Sequence, residues 1–277
     1  MSNRYNRKKR SKKSALITII SLILLVIWAY LEGNSTTSLS SPDSIDQNET
    51  QSDSTPAETN STNGAEIDWS VSSYISLADI PAYTDTPYTE INGNVPFFST
   101  EQLATGPVEK YLDLDELGRC RGAIALLNSN MMPTEERGSI GHVRPSGWHT
   151  VKYPEVISDL YLYNRCHLIA YELTGQNDNV NNLITGTRYM NVKGMLPFEN
   201  KVAAFLREND HMHVLYRVTP LFDGDNLVAS GVLMEACSIE DNGEGLSFCI
   251  YCYNVQPHVS INYTDGSSCQ EPNDINP

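Results

Sequence analysis

From Glu32 to Glu66 the chain reads EGNSTTSLSSPDSIDQNETQSDSTPAETNSTNGAE, a run of Ser, Thr, Asn and acids with almost no large apolar side chain. Such a segment cannot bury enough surface to offset its conformational entropy, so a disordered linker is expected over 32–66. The residues before it have a different character. Residues 1–14, MSNRYNRKKRSKKS, carry seven Lys/Arg and no acid, and residues 15–31, ALITIISLILLVIWAYL, carry no charge at all. Seventeen helical residues reach about 25 Å, the short end of a bilayer span, and the basic flank stays cytoplasmic by the positive-inside rule. The pattern predicts a basic cytoplasmic tail, one N-terminal transmembrane helix and an extracellular C-terminal domain at the cell membrane. A signal segment cleaved near Gly33–Ser35, releasing a secreted protein, is the competing reading. Bulky Trp28, Tyr30 and Leu31 at the end of the apolar run favour the retained anchor. Either way, one core must be built from residues 67–277, a length suited to a single domain.

That domain holds twelve Lys/Arg against twenty-seven Asp/Glu, a net charge of −15. An acidic surface is a poor footprint for passive nucleic-acid binding, which relies on distributed basic charge. Any anion-binding function must therefore be local.

The order of elements points to an α+β fold around an antiparallel sheet. A short helix is expected to open at STEQLA, capped by Ser99 or Thr100. GRCRGAIALLNSNMM reads as a strand entering a loop, and PTEERGSIGHVRPSGWHTVKY as a long surface loop carrying His142, Arg144, Trp148 and His149. A helix is expected from about Thr187 through LREND, amphipathic in its second half. Three strands follow, HMHVLYRVTPLF, NLVASGVLMEACSI and LSFCIYCYNV, joined by polar turns.

Six cysteines lie in the exported part. Cys249 and Cys252 have no second pair at zinc-site spacing, and in a strand positions three apart face opposite ways. Cys237 and Cys249 lie equally far from Gly243, so they either sit opposite one another across a hairpin or are two small buried side chains.

Four polar residues stand amid apolar neighbours: Arg165 and His167 in YNRCHLIAY, Asn191 in GTRYMNVKG and Glu199 in LPFENKV. Buried polar groups need partners. YNRCHLIAY, NNLITGTRYMN and FENKV together resemble the DNA/RNA non-specific endonucleases with a ββα-metal active site, whose signature is Asp-Arg-Gly-His, an asparagine on a helix, and a glutamate eight residues later. The likeness is nearest to membrane-anchored bacterial DNA-entry nucleases and their secreted relatives, and spans about residues 117–257. It implies His167 as the general base and Asn191 as the one protein ligand of Mg²⁺, with Mn²⁺ as a substitute. It further implies Glu199 holding metal-bound water, Arg165 gripping the phosphate, and Asn182 in a supporting position. The substrate implied is DNA, with RNA as a second one.

Elementary chemistry agrees with these roles. Histidine titrates near neutral pH unaided, and a hard amide oxygen suits a hydrated Mg²⁺. The motif here departs from the family at two places: Asn164 replaces the Asp and Cys166 the Gly. Asn164 brings no negative charge, which points to weaker activity or an altered metal preference. Arg144 and Lys152 are candidate backbone contacts. In an unbroken α-helix eight residues leave Asn191 and Glu199 roughly 80° apart. Gly194 and Pro197 lie between them, and a kink there would bring the two side chains toward one metal shell. Two other classes fit less of the pattern. A catalytically weakened nucleic-acid-binding or uptake component is favoured by Asn164 and the acidic surface, and an adhesin-like surface protein with a structural histidine only by the linker.

Overall fold

The computed structural model describes residues 67–71 and 74–272. The tail, anchor or signal segment, and linker expected within residues 1–66 lie outside the described residues. Among the described residues no helix is long and apolar enough to cross a membrane.

The strands are β1 (Tyr88–Glu90), β2 (Glu109–Tyr111), β3 (Ala123–Leu127), β4 (Tyr163–His167), β5 (Leu183–Thr187), β6 (Val214–Leu221), β7 (Gly231–Ser238), β8 (Ser247–Tyr253), β9 (Val259–Ile261) and β10 (Ser268–Gln270). The α-helices are α1 (Thr100–Leu103), α2 (Tyr171–Thr174) and α3 (Leu196–Glu208), and a π-helical stretch, Met190–Met195, leads into α3. The main sheet has the order β1-β8-β7-β6-β3-β2, and every described pairing in it is antiparallel. Two further pairs, β4–β5 and β9–β10, stand apart from it.

Both faces of the central strands are covered, which is why they read as nearly continuous apolar runs. Val214, Tyr216 and Val218 of β6, with Val232, Met234 and Ala236 of β7, pack against Phe198, Val202, Ala203 and Leu206 of α3. The alternate residues Leu233, Cys249 and Tyr251 meet Val71, Ile75 and Ile91 on the other face. Cys249 and Cys252 thus belong to different layers, as a period of two demands.

A fully buried ion pair organises that second face. Arg217 and Glu235 are directly opposed on β6 and β7, joined through Nε–Oε2 at 2.7 Å and Nη2–Oε1 at 2.9 Å, with no exposure of either side chain. The Phe97 N–H donates to the same carboxylate at 2.8 Å, and the Phe98 ring lies 4.8 Å from the guanidinium. Arg217 also reaches the Trp69 carbonyl and Gln102 Oε1, both at 3.4 Å. The segment 68–102, which carries few local signals, is laid on the sheet by these polar contacts.

Several elements differ from the sequence reading. The helix cap at Ser99 is as expected, completed by a reciprocal bond with Gln102. Helical structure begins at Arg188, within one residue of the expected start, and the preceding LITGT, unassigned from the sequence, is strand β5. The opposition of Cys237 and Cys249 is overturned: Cys237 faces Ser247 and Cys249 faces Glu235. The hairpin is centred one residue earlier than Gly243, because Gly243 N–H bonds back to the Ser238 carbonyl at 2.8 Å, and that slip moves the partner by two places. All six cysteines are free thiols. The strands β1, β2, β9 and β10 carry no sequence signal strong enough to read, being three residues each.

Removing one member of the buried pair should leave an uncompensated charge in the sheet. Arg217→Met is expected to destabilise the domain by about 3–5 kcal/mol in urea unfolding, and the double change Arg217→Met/Glu235→Leu to recover a large part of that loss. Equal loss in both variants would mean that packing, not charge, makes this position critical.

Candidate active site

The site grows from the β4–β5 pair and the wide helical turn after it. In their register Asn164 faces Gly186, Arg165 faces Thr185 and His167 faces Leu183. Gly186 is required by packing, since a Cβ there would fall 2.4 Å from the Cys166 sulfur and 2.7 Å from the end of Met190. Cys166 therefore occupies its place in the motif only because the neighbouring strand offers a residue without a side chain.

His167 leaves β4 buried, 7% exposed. Its Nε2 lies 2.8 Å from the Asn177 carbonyl, which can only accept, so the hydrogen sits on Nε2 and the lone pair on Nδ1. Nδ1 faces the Arg137 Nη2 at 3.3 Å. Burial, aided by the Arg137 charge, pushes the imidazole down to about 4, so His167 is neutral at physiological pH. The chain beyond it is pinned by Asn182, which is fully buried and exchanges two 2.9 Å bonds with the Ile169 backbone. Both ends of that amide are used, so Asn182 holds the exit of β4 in position rather than reaching the groove.

An open groove of ≈ 590 Å³ is lined by Arg137, Trp148, Tyr161, Asn164, Arg165, Arg188 and Asn191, with neighbouring loop residues. Arg165 gives two of its five N–H donors to loop carbonyls, Nε to Val143 at 2.6 Å and Nη2 to Gly141 at 2.8 Å, while its guanidinium lies 4.0 Å from the Trp148 ring centre. It clamps the long loop 133–153 and keeps three donors for a ligand. The loop is held again where Ser146 donates to Leu227 O and Thr185 donates to Ser146 O. At Gly266, with φ 82°, a Cβ would fall 2.0 Å from the Gly147 carbonyl, so only glycine permits that approach. Arg188 shares one oxygen of Asp159 through Nε and Nη2, each at 2.6 Å. Arg144 is exposed and outside the lining, its charge felt by Arg165.

Asn191 lies in the π-helical stretch, where the Leu196 N–H donates to the Asn191 carbonyl across five residues. A turn closed over five residues advances less per residue than an α turn, which removes much of the 80° offset expected between Asn191 and Glu199. The expected irregularity is thus a widened turn, with Pro197 placed harmlessly in the first turn of α3. The side-chain amides of Asn164 and Asn191 make no hydrogen bond to any described residue, leaving both carbonyl oxygens available to a ligand in the groove.

Glu199 is 7% exposed and its carboxyl has no hydrogen-bond partner among the described residues. Burial, reinforced by Glu172 and opposed by Arg137, pushes it up to about 8. The Arg137 charge is felt by His167, Glu199 and Cys166 alike. Among the described residues no three His, Cys, Asp or Glu side chains converge as a metal cage.

The structure therefore gathers Asn164, Arg165 and Asn191 in one groove, sets His167 beneath Arg137, and buries Glu199 behind them. Sequence reasoning missed Arg137 and Arg188. Arg188 is three residues before Asn191 at the start of the helical stretch, a spacing that signals shared orientation. Arg137 lies on an irregular loop thirty residues before His167 and carries no local signal.

Comparison with known proteins adds four findings. A family model described as DNA/RNA non-specific endonuclease matches residues 99–239, just over half of the chain. A curated deoxyribonuclease from Streptococcus dysgalactiae subsp. equisimilis is 30% identical over 115 residues, 40% of this chain and 34% of that protein, so the match spans about a third of the relative's length. The crystal structure of NucA from Streptococcus agalactiae with magnesium ion bound shares the fold at a TM-score of 0.61 and 23% identity, over 71% of this chain and 94% of that one. The structure of Sda1 nuclease with bound zinc ion gives 0.51 and 27%, over 59% and 82% of the two chains.

The buried carboxyl of Glu199 has a pH signature. Its folded value lies above that of an unfolded glutamate, so its contribution is fully present below about pH 4.5 and is lost as pH rises through about 8. Glu199→Gln removes that loss, and in chelator the variant should gain stability over the wild type between about pH 5 and pH 9, by up to a few kcal/mol in urea unfolding. A gap between the two proteins that is constant with pH would show that Glu199 is already ionised in the folded protein.

Proposed function

The chain belongs to the DNA/RNA non-specific endonuclease family, and on that premise we propose that it hydrolyses DNA, with RNA as a second substrate, using His167 as general base and a Mg²⁺ ion held through Asn191. The observation that carries this reading is the state of His167: neutral, with its proton fixed on Nε2 by the Asn177 carbonyl and its lone pair on Nδ1 beside a groove that holds three arginines. A histidine buried only for packing has no need of an adjoining cationic groove.

The residues fit a sparsely ligated hard cation. Asn191 and Asn164 offer uncommitted amide oxygens, and an ion that keeps most of its waters does not require a cage of carboxylates. Bound there with the substrate, Mg²⁺ supplies positive charge to the phosphate oxygens and the departing 3′ oxygen. With Arg137, Arg165 and Arg188 around the groove, the phosphate and the ion are expected to enter together, since either alone meets less favourable charge.

Arg137 connects binding to base activation. In the free protein its N–H occupies the Nδ1 lone pair of His167 at 3.3 Å. A phosphate is a stronger partner for a guanidinium than a neutral imidazole, so an incoming backbone draws Arg137 away and leaves Nδ1 to take a proton from water. Arg188, oriented by Asp159, and the remaining donors of Arg165 hold the phosphate during attack. Glu199, raised by burial, would hold water beside a bound cation, whose charge would favour its ionised form. Asn164 contributes a neutral oxygen where the family motif has a carboxylate, which weakens the grip on the ion. The charge-free segment after the basic tail supports action outside the cell membrane.

Purified protein should nick plasmid DNA with Mg²⁺ and stop in EDTA, and inertness under both conditions rejects the reading. His167→Ala should lower cleavage by at least about a hundredfold while leaving a folded domain. Asn191→Ala should demand far more Mg²⁺ for half-maximal cleavage, and Asn164→Asp should demand about fivefold less. Magnesium titrations that coincide for all three proteins would place the ion elsewhere.

A further inference from the structure

At the edge of the groove stands an aromatic ring whose side-chain partner among the described residues is the Lys152 ammonium. Tyr161 is 42% exposed and lines the groove with Arg165, Arg188 and Asn191. No other aromatic ring packs on it and its hydroxyl has no hydrogen-bond partner among the described residues. Its neighbour Leu162 is fully buried, so the chain turns Tyr161 outward while turning Leu162 in.

That outward turn is enforced at a cost. Leu160 has φ 70°, a left-handed conformation that a branched apolar side chain adopts only under constraint, and it too is 42% exposed. The constraint is visible: Leu160 N–H bonds to Ile157 O, Tyr153 N–H to Leu160 O, and Tyr161 N–H to Asp159 O, each at 2.9 Å. Lys152 pairs with Tyr161 across this small loop and sets its ammonium 4.7 Å from the ring centre. Asp159, one step before the strained residue, is the partner of Arg188 in the groove. The loop 152–161 therefore fixes an exposed ring and two cations in one arrangement.

We propose that Tyr161 is a stacking subsite for an unpaired nucleobase, with Lys152 and Arg188 taking the flanking phosphates, so that the groove favours single-stranded or locally melted nucleic acid. The proposal rests on the nuclease reading and names the form of substrate that this site prefers. A ring beside two cations suits a base with its phosphates, and the positive charge around it disfavours cationic and purely apolar partners. Bases within a duplex are stacked on one another and hidden from such a ring, whereas those of a single strand are free to swing onto it. Stacking needs no base-specific hydrogen bond, in keeping with a ring whose hydroxyl is idle.

The test compares kcat/KM in Mg²⁺ for a labelled oligothymidylate and for a mixed-sequence duplex of the same length. Tyr161→Ala should lower the single-strand to duplex ratio about tenfold, chiefly through KM on the single strand, and Tyr161→Phe should restore it. Lys152→Ala should weaken the single strand less and flatten its salt dependence. An unchanged ratio in Tyr161→Ala, or failure of phenylalanine to restore a lost one, overturns the stacking subsite while leaving the nuclease reading intact. A wild-type protein that cleaves neither substrate overturns both.

Discussion

The site depends on one buried amide. Asn254 follows β8 with no exposure, and each of its polar atoms is engaged: Nδ2 donates to Ala229 O at 2.9 Å and Thr185 O at 3.1 Å, and Oδ1 accepts from the Thr187 N–H at 2.8 Å. A buried amide left unsatisfied costs on the order of 1–3 kcal/mol per group, so these bonds allow one placement of β5 against the end of the main sheet. Thr187 continues the chain of contacts, donating to Val255 O at 2.7 Å and accepting from the Met190 N–H at 3.0 Å. The start of the helical stretch is thus capped and anchored by the same joint. Arg188 and Asn191, one and four residues further on, take their positions from it.

Around this fixed frame the charges are divided by place. The domain as a whole is strongly acidic, yet the groove collects Arg137, Arg165 and Arg188. Such a field repels a polyanion from most of the surface and draws it where the cations lie. Inside, His167 is held neutral and Glu199 protonated near neutral pH, both by burial. These are costs to folding that a core of the same shape would avoid, and they fall on the residues to which chemistry is assigned. The left-handed Leu160 beside the groove is a third local cost of the same kind.

Long periodic runs and spaced polar residues made much of this legible beforehand. The strands β6, β7 and β8, the amphipathic α3 and the Ser99 cap follow from local chemistry, since each is long enough, or specific enough in its capping groups, to carry its own signal. The intervals linking Arg165, His167, Asn191 and Glu199 suggested one site through their likeness to the nuclease motif, and the structure brings Arg165 and Asn191 into one groove. Short elements were not readable in this way. Strand β5, in LITGT, is too short to be assigned from its own residues, and its identity comes from pairing with β4. The Cys237 to Cys249 register failed because a single backbone bond at Gly243 shifted the hairpin.

The sequence by itself determined the family, the α+β class and the residues around which a site could form, because periodicity, capping and motif spacing are properties of neighbours along the chain. Only the tertiary structure decided which nitrogen of His167 keeps its proton, that Asn182 braces rather than reaches the groove, and that Arg165 clamps a loop. It also brought Arg137 and Arg188 to the site and buried Arg217 against Glu235. Each of these depends on groups far apart in sequence meeting at hydrogen-bonding distance in a medium of low polarity, where the geometry of the partner fixes protonation and orientation.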